Sequence, residues 1–176
     1  MQAIVRASDI QDREWISDLL TREWGSSLIV TRGRIHEACA LPAWIASRAD
    51  RRVGLLTYRL EQDECEIVSL NSLMPGVGVA SALLLALAEA CVKRGCKRIW
   101  LITTNDNLGA LGFYQRRGFR LAAVHRNAIE VSRRLKPSIP AMGANGIPIR
   151  DEVELEVQAA ALASACRSKT RDTRSS

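Results

Sequence analysis

Apolar positions along this chain follow two alternating periods. Runs with a two-residue period, "AIVR" at 3–6, "AWIAS" at 43–47, "VGLLTYRLE" at 53–61 and "ECEIVSLNS" at 64–72, predict strands. The charged turn "ADRR" and the dipeptide "QD" join the last three. "SDIQDREWISDLLTREW" carries the helical period instead, with Ser8 or Asp9 as its cap and Ile16, Leu19 and Leu20 on one buried face. A second helix covers 79–94, apolar nearly all round at its start, with Lys93 and Arg94 at the negative end and Gly95 as its stop. "KRIWLITT" reads as a buried strand and "NDNLGALGFYQRRG" as a capped helix ending at Gly118. Then follow a strand ("FRLAAVH"), a short helix ("AIEVSRRLK") and a loop ("PSIPAMGANGIP"). "IRDEVELEV" alternates Glu152, Glu154 and Glu156 against Val153, Leu155 and Val157, the pattern of a half-exposed strand. "GSSLIVTRGRIHEACAL" fits neither period and reads as loop through Gly33 with a short helical turn. The resulting order predicts an α/β (α+β) mixed sheet with helices on both faces.

Composition narrows the function classes. The chain has 176 residues, 47% of them hydrophobic and 25% charged, which suits one soluble domain, here taken as 1–157. Residues 158–176 read as a small-residue segment and a basic, disordered tail. The net charge of +6 raises nucleic acid, but the tail "RSKTRDTRSS" alone holds four basic residues and one acidic. No basic stripe interleaved with aromatics remains, so no nucleic-acid partner is expected. The longest apolar run, 79–88, is stopped by Glu89 and is too short to cross a membrane. With no leader-like segment at its start, the chain is expected to be cytoplasmic, as a monomer or homodimer. Five cysteines without a CxxC pair, and His36 and His125 away from any cysteine cluster, predict neither a metal site nor a disulfide framework.

The chemistry begins at "LMPGVGVAS". A Gly-Val-Gly turn between a strand and a helix exposes first-turn amides at a positive dipole end, which suits a pyrophosphate. It is not a P-loop, because no Gly-Lys-Ser/Thr follows, and not a dinucleotide fingerprint, because Ser81 stands where a third glycine belongs. One strand downstream, "NDNLGALGFYQRRGF" has the form N-x-x-A-x-x-F-Y-x-x-x-G-F. The pair, in this order, resembles the GNAT superfamily of N-acetyltransferases over residues 3–157. The resemblance implies a sheet of about seven mostly antiparallel strands and acetyl-CoA as acyl donor. Its Q/R-x-x-G-x-G/A signature falls on Pro75, Gly76, Val77, Gly78, Val79 and Ala80. Pro75 departs from it, having neither a side-chain donor nor an N–H.

The resemblance further implies that pantetheine lies between the strand ending at Ser72 and "RIWLITT", paired with backbone of Leu70, Asn71, Ser72 and Leu73. The pyrophosphate falls to Gly76, Val77, Gly78, Val79, Ala80 and Ser81. Asn107, Ala110, Phe113 and Tyr114 border the thioester end.

Acyl transfer to an amine needs a proton acceptor, because an amine of pKa ~10.4 is protonated at neutral pH. It also needs a proton for the departing thiolate. Tyr114 suits the second role, the alternative being a core tyrosine beside Phe113. For the first, the resemblance implies Glu66, on the strand where histone-type members of the superfamily carry a catalytic glutamate, the alternatives being a solvated strand-edge glutamate or a water chain. Trp24, Arg32, His36, Asn105 and Asp106 are placed near the acceptor, with core packing the favoured reading of Trp24 and helix capping that of Asp106. The insertion at 128–148 is a candidate cover. A non-catalytic acyl-CoA-binding module and a nucleotide-binding α/β domain are the competing readings.

Overall fold

The strands and helices follow the two periods in chain order: β1 (Ile4–Ala7), a 3-10 turn (Ile10–Asp12), α1 (Arg13–Trp24), β2 (Leu28–Thr31), β3 (Arg34–Glu37), a 3-10 turn (Ala38–Ala40), β4 (Ala43–Arg48), β5 (Arg51–Glu61), β6 (Glu64–Ser72), α2 (Val79–Lys93), β7 (Arg98–Thr104), α3 (Leu108–Gln115), β8 (Arg120–His125), α4 (Ala128–Leu135), β9 (Glu152–Gln158) and α5 (Ala159–Asp172). This computed structural model describes residues 3–143 and 145–172, with side chains described as far as Arg167.

Seven strands form one mixed sheet in the order β1-β4-β5-β6-β7-β9-β8, while β2 and β3 form a separate hairpin. All sheet neighbours are antiparallel except β6 and β7. Parallel neighbours need a crossover, and α2 supplies it. On one face, Leu83, Leu84 and Leu87 of α2 and Leu162 of α5 pack over Leu56, Cys65, Ile67, Ile99 and Leu155. On the other, Ile16, Leu19 and Leu20 of α1 cover Ile45, Leu55 and Val68. Each such fully buried aliphatic side chain contributes ~1.5–3 kcal/mol of transfer free energy. Gly54 of β5 lets the start of α2 sit down on the sheet: a Cβ there would overlap Val79 Cγ1 and come within 3.2 Å of the Asn71 carbonyl.

Five expectations need correction. The stretch expected to be loop with a helical turn is the β2–β3 hairpin, closed by Arg32 and Gly33 with φ of 48° and 70°. Two positive-φ residues make the type I′ turn that matches strand twist. In β6 the strict alternation fails. Thr57 faces Ser69 but Tyr58 faces Ile67, so Val68 is the extra residue of a β-bulge. Past it, Leu70 joins the α2 core and Asn71 turns to α1, whereas strict alternation puts Leu70 on the face of Glu64, Glu66 and Val68, and Asn71 on that of Cys65, Ile67 and Ser69. In β9 the glutamate face is covered, not half exposed: the strand lies between β7 and β8, and Glu152 and Glu154 are buried in ion pairs and hydrogen bonds.

The domain end expected at 157 falls just before α5. Ala159, Leu162, Ala163 and Cys166 make one buried helical stripe against α2, so most of the expected tail is helical; 173–176 lie outside the described residues. Finally, Asn107 rather than Asp106 caps α3, its Oδ1 accepting from Ala110 N at 3.1 Å.

Candidate active site

β6 and β7 run parallel but pair over four residues only, from Glu64↔Arg98 to Ile67↔Leu101. The Val68 bulge follows at once. Beyond it β6 stays on β5 as far as Ser72, and β7 stays on β9 as far as Thr104. The facing edges of the two strands therefore part, leaving backbone of Leu70, Asn71 and Ser72 with no strand partner on that side. Leu73 belongs partly to β5, since its N–H donates to Val53 O. An extended chain with amide groups of its own is what such an edge accepts.

The glycine turn stands at the mouth of this opening. Gly76 and Gly78 have φ of 82° and 84°, which L side chains rarely adopt. A Cβ on either would meet nothing within 4 Å, so conformation rather than crowding demands glycine, and the space above the turn is open. Gly78 caps α2 without a side-chain bond, and the first helical bond is Ala82 N to Gly78 O. The N–H groups of Val79, Ala80 and Ser81 precede it and have no intrahelical acceptor. The Val79 side chain is buried, so it reaches a ligand through its backbone only. Val77 projects outward.

Arg117 carries no signal in the sequence that ties it to the turn; only the fold brings it to Ser81. Its guanidinium stacks on Phe113 at 3.6 Å, donates to Phe113 O at 2.9 Å and to Ser81 Oγ at 2.9 Å. Burial lowers its pKa.

On the α2 side, Asn107 and Ala110 are engaged with each other through the cap, and Ala110 and Phe113 pack against the core. Tyr114 is 7% exposed and sits edge-on to Phe113 and Phe119, both at 5.1 Å between ring centroids. Burial pushes the phenol pKa up, so the proton is held more firmly than in water.

Glu66 occupies the last-but-one paired position before the strands part. At 2% exposure it is not the solvated edge carboxylate of the plainer reading. Thr31 of β2 donates to its Oε1 at 2.7 Å, and Arg59 Nε donates to Oε2 at 3.2 Å. His36 Nε2 of β3 lies 2.8 Å from Thr31 Oγ1 and 3.7 Å from Glu66 Oε1. Burial lowers the His36 pKa, opposed by the Glu66 charge and reinforced by Arg59 and Arg34. An open cavity of about 310 Å³ adjoins Glu66, lined by Arg59, Glu61, Gln62, Asp63, Glu64 and Trp100.

The remaining acceptor candidates separate. Trp24 is 43% exposed rather than core, its indole N–H donating to Asn71 Oδ1. Arg32 approaches Glu154 and its N–H donates to Glu152. Asn105 clamps the chain near Pro148, Arg150 and Asp151. The segment after β8 leans on the hairpin: Lys136 Nζ donates to Trp24 O and Leu28 O, and Ser132 donates to Glu152.

A mixed sheet whose two parallel strands part above a glycine turn at a helix start defines an N-acyltransferase fold. The model of the acetyltransferase (GNAT) family matches residues 8–119, and the chain belongs to that family. Among relatives, Bacillus subtilis (strain 168) YxbD is 44% identical over 81% of this chain and 91% of its own length. YdhI of the same organism is 38% identical over 87% and 96%. Among solved structures, a Bacillus subtilis acetyltransferase in complex with CoA matches with a TM-score of 0.63 at 18% identity, covering 89% of this chain and 99% of its own. Arabidopsis thaliana Naa50 in complex with the bisubstrate analogue CoA-Ac-MVNAL matches at 0.66 and 21% identity, with the same coverage.

Proposed function

We propose that this protein transfers an acetyl group from acetyl-CoA to a primary amine, on a small molecule or a peptide, by direct attack within a ternary complex. The observation that carries the proposal is the parting of β6 and β7 at the Val68 bulge, with the glycine turn at its mouth and Glu66 near its apex. Pantetheine lies along Leu70, Asn71, Ser72 and Leu73, and the pyrophosphate takes the amides of 76–81. Asn107, Ala110 and Phe113 wall the thioester end.

The acceptor enters from the Glu66 cavity, so donor and acceptor meet from opposite ends of β6. Glu66 takes a proton from the ammonium, and the nitrogen lone pair attacks the thioester carbon. The C–N bond forms as the C–S bond breaks. Tyr114 gives the thiolate its proton and regains one from the nitrogen, and the proton on Glu66 leaves to solvent. Overall, R–NH₃⁺ and CH₃CO–SCoA give R–NH–COCH₃, CoA–SH and H⁺. Burial keeps the phenol protonated at neutral pH, so a proton stands beside the sulfur; the raised pKa opposes the transfer itself, which the return of a proton from the nitrogen drives.

Among the described residues no helix is long and apolar enough to cross a membrane, and a cytoplasmic monomer or homodimer fits the composition. Pro75 favours a second reading, a non-catalytic acyl-CoA-binding module, since it removes one donor from the turn. Thiol release during incubation of the protein with acetyl-CoA and a panel of primary amines separates the two. Release that depends on the amine supports transfer. CoA binding by calorimetry without release from any amine leaves the binding module.

A further inference from the structure

We infer that Thr31 and His36, both on the β2–β3 hairpin, are the positioning pair of the base Glu66, so that the hairpin belongs to the catalytic machinery. The inference rests on the proposed function with Glu66 as proton acceptor.

Three polar side chains meet here with almost no water: Glu66, Thr31 and His36 are 2%, 6% and 4% exposed. A buried carboxylate is costly unless its charge is met by donors. Glu66 has two, and they divide its oxygens. Arg59, from the neighbouring strand of the sheet, binds Oε2 and also pairs with Glu61. Thr31, from outside the sheet, binds Oε1. Arg59 supplies charge on a flexible stem, whereas Thr31 supplies a short hydroxyl on a paired strand, opposite Arg34 in the hairpin register. The hydroxyl therefore fixes where the carboxylate points.

What points the hydroxyl is His36. Thr31 has one proton, and it goes to Glu66. Its oxygen must then accept from His36 Nε2 at 2.8 Å, which makes the ring the Nε2–H tautomer, an assignment inferred from the bonding pattern. Burial lowers the His36 pKa and so favours the neutral ring that this arrangement uses.

The hairpin is otherwise an odd place for such a group. The other three residues of β3 are exposed, and His36 alone is turned inward. Besides Ile29, which joins the α1 core, the hairpin is bound to the rest of the protein through polar contacts of this kind: Arg32 to Glu152 and Glu154, Lys136 to Leu28, Thr31 and His36 to Glu66. The groups facing Glu66 are thus Thr31 from β2, His36 from β3 and Arg59 from β5, with Trp100 of β7 its register partner.

Thr31→Val replaces the hydroxyl by a methyl of similar size, and Thr31→Ser keeps the hydroxyl while dropping the methyl. The full chain of each is assayed for amine-dependent thiol release from acetyl-CoA across pH, with CoA binding measured in parallel. In Thr31→Val the charged form of Glu66 loses a donor, so the acid limb of the kcat/KM profile moves upward by about one pH unit. In Thr31→Ser it stays at the wild-type position, and the CoA Kd is unchanged in both. A structural role alone would lower the melting temperature of both variants without moving the limb. An acid limb in Thr31→Val that coincides with wild type overturns the inference. Absence of thiol release from the wild-type protein would instead overturn the proposed function, which the CoA measurement and the amine panel establish first.

Discussion

The two ends of β6 use one strand in contrasting ways. Its C-terminal end, past the Val68 bulge, offers backbone: the unpaired edge of Leu70 to Ser72, then glycine-turn amides with open space above them. Its N-terminal end offers side chains, with Glu66 held by Thr31 and Arg59 and Glu64 paired with Arg98. Backbone at the first end can hold any molecule of the right shape and charge, so it suits a donor common to a whole family. Charged side chains at the second end can be exchanged without changing the strand that carries them, which suits the selection of one acceptor. The bulge is the boundary between them.

The sharpest test of that division is Glu66→Gln. The amide keeps the size and one acceptor oxygen but cannot take a proton at neutral pH. Turnover is expected to fall roughly 10²–10⁴-fold, the usual value of a positioned base, while the CoA Kd stays as in wild type. Unchanged turnover, with chemistry shown to be rate-limiting, would hand the role to water and blur the comparison.

Gly78→Val addresses the other end. With φ at 84°, a β-branched residue is strained there, and its side chain enters the open space over the turn. CoA affinity measured by calorimetry is expected to fall by roughly tenfold or more, since the new side chain blocks the close approach of the pyrophosphate to the turn amides and the strain favours a turn of other shape. Turnover at saturating acetyl-CoA is expected to hold up far better than in Glu66→Gln. Equal CoA affinity in the variant would remove the pyrophosphate from the turn.

The same boundary separates what the sequence disclosed from what it hid. The proposed donor end is local in sequence: Gly76, Gly78, Asn107 and Tyr114 lie within two strand–helix units whose periods read plainly. The proposed acceptor end is assembled over long range. Thr31 and Glu66 are 35 residues apart, and Arg32 and Glu152 are 120 apart. The hairpin that brings them in has Arg-Gly at its turn rather than the more telling Asn-Gly, so "LIVTRGRIH" passed as loop. The bulge broke the period-two assignment of β6, because one extra residue exchanges the faces of everything beyond it. The β9 glutamates kept their face, but alternation cannot say whether that face meets water or other charges. For α5 the signal was present: Ala159, Leu162, Ala163 and Cys166 have helical spacing, but small side chains made the stripe look like a featureless tail.

The smallest effect expected concerns pH, and it distinguishes the two ends without any ligand. His36 is held neutral by burial, with its pKa lowered in the folded protein, whereas an exposed histidine titrates near ~6.5. Below that pH the unfolded chain binds a proton that the folded hairpin refuses. Stability is therefore fully kept above ~6.5 and declines as pH falls from there towards the folded pKa, because the unfolded state gains protons first. The slope for one such group cannot exceed about 1.4 kcal/mol per pH unit. Glu66 moderates it by favouring the imidazolium, while Arg59 and Arg34 steepen it. The shifted group at the donor end, Tyr114, moves the other way and titrates only in alkali. Urea unfolding between pH 5 and 7.5, compared for wild type and His36→Asn, isolates the contribution: Asn does not titrate, so the variant's stability has a flatter dependence on pH by up to that slope. Parallel curves for the two proteins would mean that His36 titrates alike folded and unfolded, and that water, not Thr31 and Glu66, surrounds the ring.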